Sequence, residues 1–115
     1  MLSKRYALAL DLHDDPDLIA RYEWLHGEGF WPEIGQGLRE VGVLGMEIYR
    51  LGTRLFLVMD TVPDFDLRRD FERIGSLPRQ AEWAALVAQF QQRLPDAQPH
   101  EHWAEMRRIF DLNGR

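Results

Sequence analysis

Apolar residues recur with two different periods at the start of the chain, and each period predicts an element. Residues 5–12 are mostly apolar, as in a buried β-strand. An Asp-Asp-Pro step ending at Pro16 then supplies an N-cap and a proline suited to the first helical turn. Apolar side chains follow at helical spacing up to His26, and Gly27 ends the predicted helix.

A second helix is predicted from Trp31-Pro32-Glu33 to Gly42, with Pro32 in its first turn. Its interior carries Gly35 and Gly37, each of which weakens a helix by roughly 1 kcal/mol relative to alanine. Packing must therefore hold this helix in place, and a close approach to a neighbouring element is one reason for such glycines.

Residues 43–61 alternate as a β-hairpin does, with the turn at Leu51-Gly52-Thr53. One face of this hairpin is predicted to carry Met46, Ile48, Leu55, Leu57 and Met59. Helices are then predicted over residues 67–74 and 78–94, the second with an apolar stripe of Trp83, Leu86, Val87 and Phe90. After a linker bracketed by prolines, residues 103–112 are predicted to form the last strand.

The predicted order is β-α-α-β-β-α-α-β, which indicates an α+β fold of the ferredoxin-like kind. In that fold an antiparallel sheet carries its helices on one face. The opposite face of the sheet needs cover as well. A second subunit is the commonest cover, so we expect a homodimer of the dimeric α/β-barrel type.

Composition narrows the class of protein. The 115 residues predict one domain, over residues 1–115, and 45% of them are hydrophobic, as in a globular protein. The net charge of −5 argues against a nucleic-acid surface. The chain has no cysteine, which excludes a disulfide framework, a thiolate metal site and a cysteine nucleophile. With neither a signal-peptide pattern nor an apolar run near the ~20 residues of a membrane span, we expect a cytoplasmic protein.

Tyr22 and His26 are the candidates for acid–base chemistry, and they lie four residues apart at the end of the first predicted helix. Side chains at this spacing lie on one face, so a phenol and an imidazole can address the same small molecule. An unperturbed imidazole titrates near pKa ~6.5. His100-Glu101-His102 is the other histidine pair, but it lies in a proline-flanked linker and is read as a solvated loop, so no metal site is predicted.

The residues of this region also resemble a known family. Tyr22 to His26 (YEWLH), Phe30 to Ile34 (FWPEI) and the hairpin from Glu47 to Leu57 are similar to the L-rhamnose mutarotase family. Members of that family are small dimeric ferredoxin-like proteins that interconvert the α and β anomers of 6-deoxy sugars. The resemblance implies an isomerase that needs no cofactor.

The resemblance implies roles for individual residues. The family's proton donor falls on His26, and sugar-contacting positions fall on Tyr22 and Trp83. Two positions depart from the family pattern: Ala84 stands where a second tryptophan is typical, and Met46 stands where a sugar-contacting tyrosine is typical. These changes affect the pocket walls, with Met46 able to line a methyl pocket, so L-fucose becomes a candidate beside L-rhamnose.

Mutarotation fits these residues chemically. A base removes the anomeric hydroxyl proton while an acid protonates the ring oxygen, the aldehyde rotates, and the ring recloses on its other face. A positioned acid or base contributes ~10²–10⁴-fold to such a step. The second acid–base group is left open, with Glu47 and Tyr49 as candidates if they point inward.

Two alternatives remain at this stage. Dimeric ferredoxin-like domains include haem-type and quinol-type monooxygenases, and fold alone does not separate these from mutarotases. The other alternative is a non-catalytic ligand-binding domain in which Tyr22 and His26 only pack.

Overall fold

The computed structural model describes residues 3–114, so Met1, Leu2 and Arg115 of the predicted domain lie outside the described residues. The elements follow one another as β1 (Lys4–Leu12), α1 (Pro16–Leu25), α2 (Pro32–Glu40), β2 (Val43–Leu51), β3 (Arg54–Thr61), α3 (Leu67–Ile74), α4 (Gln80–Ala88), β4 (Gln91–Gln92) and β5 (Ala104–Glu105). No helix within residues 3–114 is long and apolar enough to cross a membrane.

Local side-chain chemistry sets the starts of two helices. The Asp15 carboxylate accepts hydrogen bonds from the backbone N–H groups of Asp17 and Leu18, so α1 begins where the Asp-Pro step predicted. Asp66 caps α3 in the same way through the N–H of Arg69. These caps satisfy helix-end donors that would otherwise have no partner within the helix.

The strands form one antiparallel sheet in the order β2-β3-β1-β4, with β5 pairing with β1 beside β4. This order is that of a ferredoxin-like sheet. In the register, Leu8 lies opposite Leu57 and Leu10 opposite Leu55, so their side chains share a face. That face is buried beneath the helices, which confirms the α+β prediction with helices on one side.

The last part of the chain differs from its prediction. The helix predicted over residues 78–94 ends at Ala88, because Gln91 and Gln92 leave it to pair with the end of β1. The strand predicted over residues 103–112 is wrong in length, since only its residues Ala104 and Glu105 form a strand, which pairs with β1. The free edge of β1 is thus shared by two short strands.

Gly37 marks a close contact between α2 and α4. A Cβ atom built there would lie 2.2 Å from Nε2 of Gln80, whose buried amide donates to the carbonyl oxygens of Glu33 and Ile34. Gly35 has ordinary space, with its nearest neighbour, Phe30, at 3.6 Å. The expected close approach is therefore confirmed at Gly37. There the Gln80 side chain holds α4 against α2, and both helices flank the site.

Candidate functional site

A cavity of about 660 Å³ opens between the helices and the core face of the sheet. Tyr22 and His26 line it from α1, Met46 from β2, and Trp83 from α4. The four residues expected to donate a proton or to contact the sugar thus line one space, which we call the central cavity. Its volume is in the range of small-molecule sites.

His26 ends α1 as its C-cap, and its ring is fixed by a hydrogen bond to the preceding turn. Nδ1 lies 2.8 Å from the carbonyl oxygen of Tyr22. A carbonyl oxygen only accepts, so Nδ1 carries a hydrogen, and the neutral imidazole has its bare lone pair on Nε2. Burial lowers the pKa of His26 below the ordinary imidazole value, outweighing the hydrogen bond that raises it. The neutral ring is therefore the main form at neutral pH.

Tyr22 lies against His26, with ring centroids 4.3 Å apart, and is almost fully buried. Its hydroxyl oxygen accepts a hydrogen bond of 3.1 Å from Nε2 of Gln91. Burial raises the pKa of the Tyr22 phenol, more than the hydrogen bond from Gln91 lowers it. The phenol therefore keeps its hydrogen across the physiological range.

Trp83 is the centre of an aromatic cluster. Its ring meets the edges or faces of His26, Phe30 and Trp31 at centroid distances of 5.4, 5.4 and 5.2 Å. Trp83 is buried and also lines the central cavity, so it both packs and offers ring surface to a ligand. Trp31 packs beneath the guanidinium of Arg79, which lies 3.8 Å from the centroid of the Trp31 ring.

Met46 and Ala84 form parts of the cavity wall where the sequence departs from the family pattern. Met46 is half-buried on the core face of β2, and Ala84 is exposed beside Trp83. The small Ala84 side chain leaves open the space that a larger residue would fill. The departures therefore change the walls of the central cavity and leave the Tyr22–His26 pair intact.

Glu47 and Tyr49 do not reach the central cavity. Both are exposed on the opposite face of the sheet, where the Tyr49 hydroxyl donates to Glu47 over 3.0 Å. They were candidates only if they pointed inward, and the alternation of β2 turns them outward. Neither is the second acid–base group.

Gln91 and His102 belong to the site although the sequence did not predict a site role for either. Gln91 is buried on the short strand β4, and its Oε1 lies 2.6 Å from Nε2 of His102. His102 keeps an exposed side but lines the central cavity, so its interpretation as part of a solvated loop is corrected. No local pattern marks either residue, because both become part of the site only through the sheet pairing of β4 and β5. Within residues 3–114, no group of three ligand side chains is placed to hold a metal ion.

Comparison with known proteins agrees with this geometry. A profile of the L-rhamnose mutarotase family matches residues 5–112. The chain is 40% identical over 114 residues to an L-fucose mutarotase from Xanthomonas campestris pv. campestris, covering 98% of this chain and 91% of that protein.

Two solved structures share the fold. An L-rhamnose mutarotase from Formosa agariphila superposes with a TM-score of 0.65 at 20% identity, over 95% of this chain and 98% of that one. Tetracenomycin F2 cyclase from Streptomyces glaucescens, a type-II polyketide cyclase, gives a TM-score of 0.63 at 17% identity, over 94% of this chain and 97% of that one. At these identities the structures show a common fold, on which different chemistries are built.

Proposed function

The chain belongs to the L-rhamnose mutarotase family, a family of carbohydrate isomerases, and from this premise we propose that it interconverts the anomers of L-fucose at the central cavity, with His26 as its acid–base group. Membership of the family favours mutarotation over the monooxygenase and the non-catalytic alternatives. The observation that carries the assignment of His26 is the hydrogen bond from its Nδ1 to the carbonyl oxygen of Tyr22, which leaves Nε2 for chemistry.

In this proposal, neutral Nε2 of His26 takes the proton of the anomeric hydroxyl. The electrons of that O–H bond form the C1–O1 double bond, and those of the C1–O5 bond move to the ring oxygen. The imidazolium formed in this way returns its proton to the ring oxygen, which completes the open aldehyde. Rotation about C1–C2 and the reverse steps give the other anomer. Because both oxygens are bonded to the same carbon, one imidazole nitrogen serves both, and no second acid–base group is needed.

The remaining residues bind the sugar. The buried Tyr22 hydroxyl faces the reacting oxygens from beside His26, and the Trp83 ring stacks on C–H groups of the sugar. The half-buried Met46 thioether packs against the 6-methyl group. L-fucose is proposed as the substrate, rather than L-rhamnose, because Met46 and Ala84 depart from the family pattern and because the fucose-acting relative is 40% identical.

We further propose that the protein is a homodimer. The face of the sheet opposite the helices exposes Tyr49 and Phe56, whose rings lie 6.2 Å apart, and the tail exposes Ile109 and Phe110. Such apolar surface is typical of a region that a second copy covers. Light scattering should give twice the chain mass, and Phe56→Glu should shift it toward the monomer.

The predicted single domain over residues 1–115, the cytoplasmic location and catalysis without cofactor or metal also form part of this proposal. A small neutral sugar fits an acidic chain better than a nucleic acid does. These features stay predictions.

The proposal is tested by NMR saturation transfer between the α and β anomeric signals of a sugar at equilibrium. L-fucose, L-rhamnose and D-glucose are compared with and without protein, and no coupling enzyme is involved. We expect faster exchange for L-fucose than for L-rhamnose and none above background for D-glucose. Exchange of L-fucose at the uncatalysed rate would overturn the proposal.

A further inference from the structure

A directional chain of hydrogen bonds runs from the surface to the central cavity through His102, Gln91 and Tyr22. The first link joins Nε2 of His102 to Oε1 of Gln91 over 2.6 Å, and the second joins Nε2 of Gln91 to the Tyr22 hydroxyl oxygen over 3.1 Å. Gln91 and Tyr22 are 8% and 3% exposed, so water has little access to replace the link between them, whereas the first link begins at the exposed His102.

The chemistry of an amide gives this chain its direction. Oε1 of Gln91 only accepts, so Nε2 of His102 must carry a hydrogen and donate it. The NH₂ group of Gln91 only donates, so the Tyr22 oxygen must accept. The hydroxyl hydrogen of Tyr22 therefore makes no hydrogen bond to Gln91. It is available to a ligand in the cavity that Tyr22 lines.

The opposite arrangement has a different consequence for the cavity. If the amide were reversed, the phenol would donate to Oε1 and would offer only lone pairs to a ligand. The NH₂ group would then need a bare nitrogen on His102. The hydrogen on Nε2 of His102 therefore decides whether Tyr22 acts as a donor or as an acceptor toward the cavity.

We propose that Gln91 and His102 are positioning residues that turn the hydroxyl hydrogen of Tyr22 toward the ring oxygen of the bound sugar. This inference rests on the proposed function. The ring oxygen of a pyranose carries no hydrogen, so only a donor can bind it. As the C1–O5 bond breaks, charge builds on this oxygen, and a donor aimed at it stabilises the transition state more than the ground state. The effect of Gln91 therefore falls mainly on kcat.

The backbone around both residues is built to hold this chain. Gln91 pairs with Leu12 of β1, and the residues after His102 pair with the same strand, with Ala104 opposite Ala9. The two side chains are eleven residues apart in sequence and meet because β4 and β5 share one edge. That shared edge, which the sequence did not predict, is what brings His102 to the site.

The test compares Gln91→Met, which keeps the side-chain length and removes both hydrogen bonds, in the wild-type and Tyr22→Phe backgrounds. Gln92→Met is the matched control, because Gln92 is the exposed neighbour on the same strand. We expect Gln91→Met to lower kcat for L-fucose exchange about tenfold in the wild type, the loss of about one hydrogen bond, with little change in KM. In the Tyr22→Phe background it should cause no further loss, and Gln92→Met should leave kcat unchanged.

Gln91→Glu is a second test of the donor and acceptor order along this chain of hydrogen bonds. A carboxylate accepts from both neighbours, so it keeps His102 but draws the Tyr22 hydrogen away from the cavity. We expect kcat to fall at least as far as in Gln91→Met although the side chain keeps its shape. Equal losses from Gln91→Met in both backgrounds, or an unchanged kcat in either single Gln91 variant, would overturn the inference.

Nitrogen-15 NMR of the imidazole rings tests the chain without any sugar. We expect Nε2 of neutral His102 to carry the hydrogen in the wild type, and this preference to be lost in Gln91→Met. A bare Nε2 in the wild type would overturn the inference even in an active enzyme. If L-fucose exchange is not accelerated while Nε2–H is found, the proposed function fails and the hydrogen-bond chain stands.

Discussion

A methyl group added at Gly37 should loosen the contact between α2 and α4, whereas one added at Gly35 should strengthen α2. The Cβ of Gly37→Ala would lie 2.2 Å from Nε2 of Gln80, against an optimum of about 3.5–4.0 Å for non-bonded atoms. The Gln80 amide must therefore move by more than about 1 Å, which breaks its hydrogen bonds to Glu33 and Ile34.

The two variants are expected to change the free energy of unfolding in opposite directions. Breaking the bonds of a buried amide costs about 1–3 kcal/mol, and alanine returns roughly 1 kcal/mol of helix propensity. We therefore expect Gly37→Ala to lower the free energy of unfolding by about 1 kcal/mol. Gly35→Ala meets only Phe30, at 3.6 Å, and should raise it by roughly 1 kcal/mol.

Urea unfolding followed by tryptophan fluorescence measures both values. Gln80→Ala in the Gly37→Ala background should restore part of the loss, since the displaced amide is gone. Ile34 lines the central cavity, so Gly37→Ala should also raise KM for the sugar. If Gly37→Ala is as stable as Gly35→Ala, the proposed lock between the helices is wrong.

Three further predictions concern the site and its support. Burial lowers the pKa of His26, and the neutral ring acts first in the reaction. The kcat/KM for L-fucose should therefore rise with pH through a midpoint below ~6.5 and reach a plateau. A midpoint above that value would contradict the lowered pKa. Met46→Tyr restores the family's typical tyrosine and should shift the kcat/KM ratio toward L-rhamnose about tenfold in the exchange assay, whereas an unchanged ratio would show that Met46 does not select the sugar. Asp70 is buried and accepts hydrogen bonds from Arg69 and Arg73, so Asp70→Asn should cost about 2 kcal/mol in urea unfolding at pH 7. The pKa of Asp70 is held well below its usual range, chiefly by the hydrogen bond from Arg69. The stabilisation by Asp70 is therefore fully present above the ordinary carboxyl pKa and is lost as the pH falls through the lowered pKa of Asp70. A difference in unfolding free energy between wild type and Asp70→Asn that stays constant on acidification would refute this prediction.

The local elements could be predicted from the sequence because their causes are local. The Asp15-Pro16 step and Gly27 bound α1, and the alternation of residues 43–61 marked the hairpin. Tyr22 and His26 were found for the same reason, since a spacing of four on a helix needs no knowledge of the rest of the fold.

The end of the chain could not be predicted in this way. Residues 103–112 were predicted to form one strand, but the length of a strand depends on the edge available, and β1 divides its edge between β4 and β5. Gln91 and His102 belong to the site only because of this division. Glutamine on a two-residue strand and histidine in a proline-flanked linker carry no pattern that indicates a site.

The most direct test of the central claim is L-fucose anomer exchange in His26→Gln, measured by NMR saturation transfer beside His13→Gln. His13 is exposed and its backbone N–H bonds to Phe90, so the same substitution there leaves the cavity untouched. We predict that His26→Gln exchanges L-fucose at the uncatalysed rate while His13→Gln matches the wild type. Wild-type acceleration in His26→Gln would contradict the account.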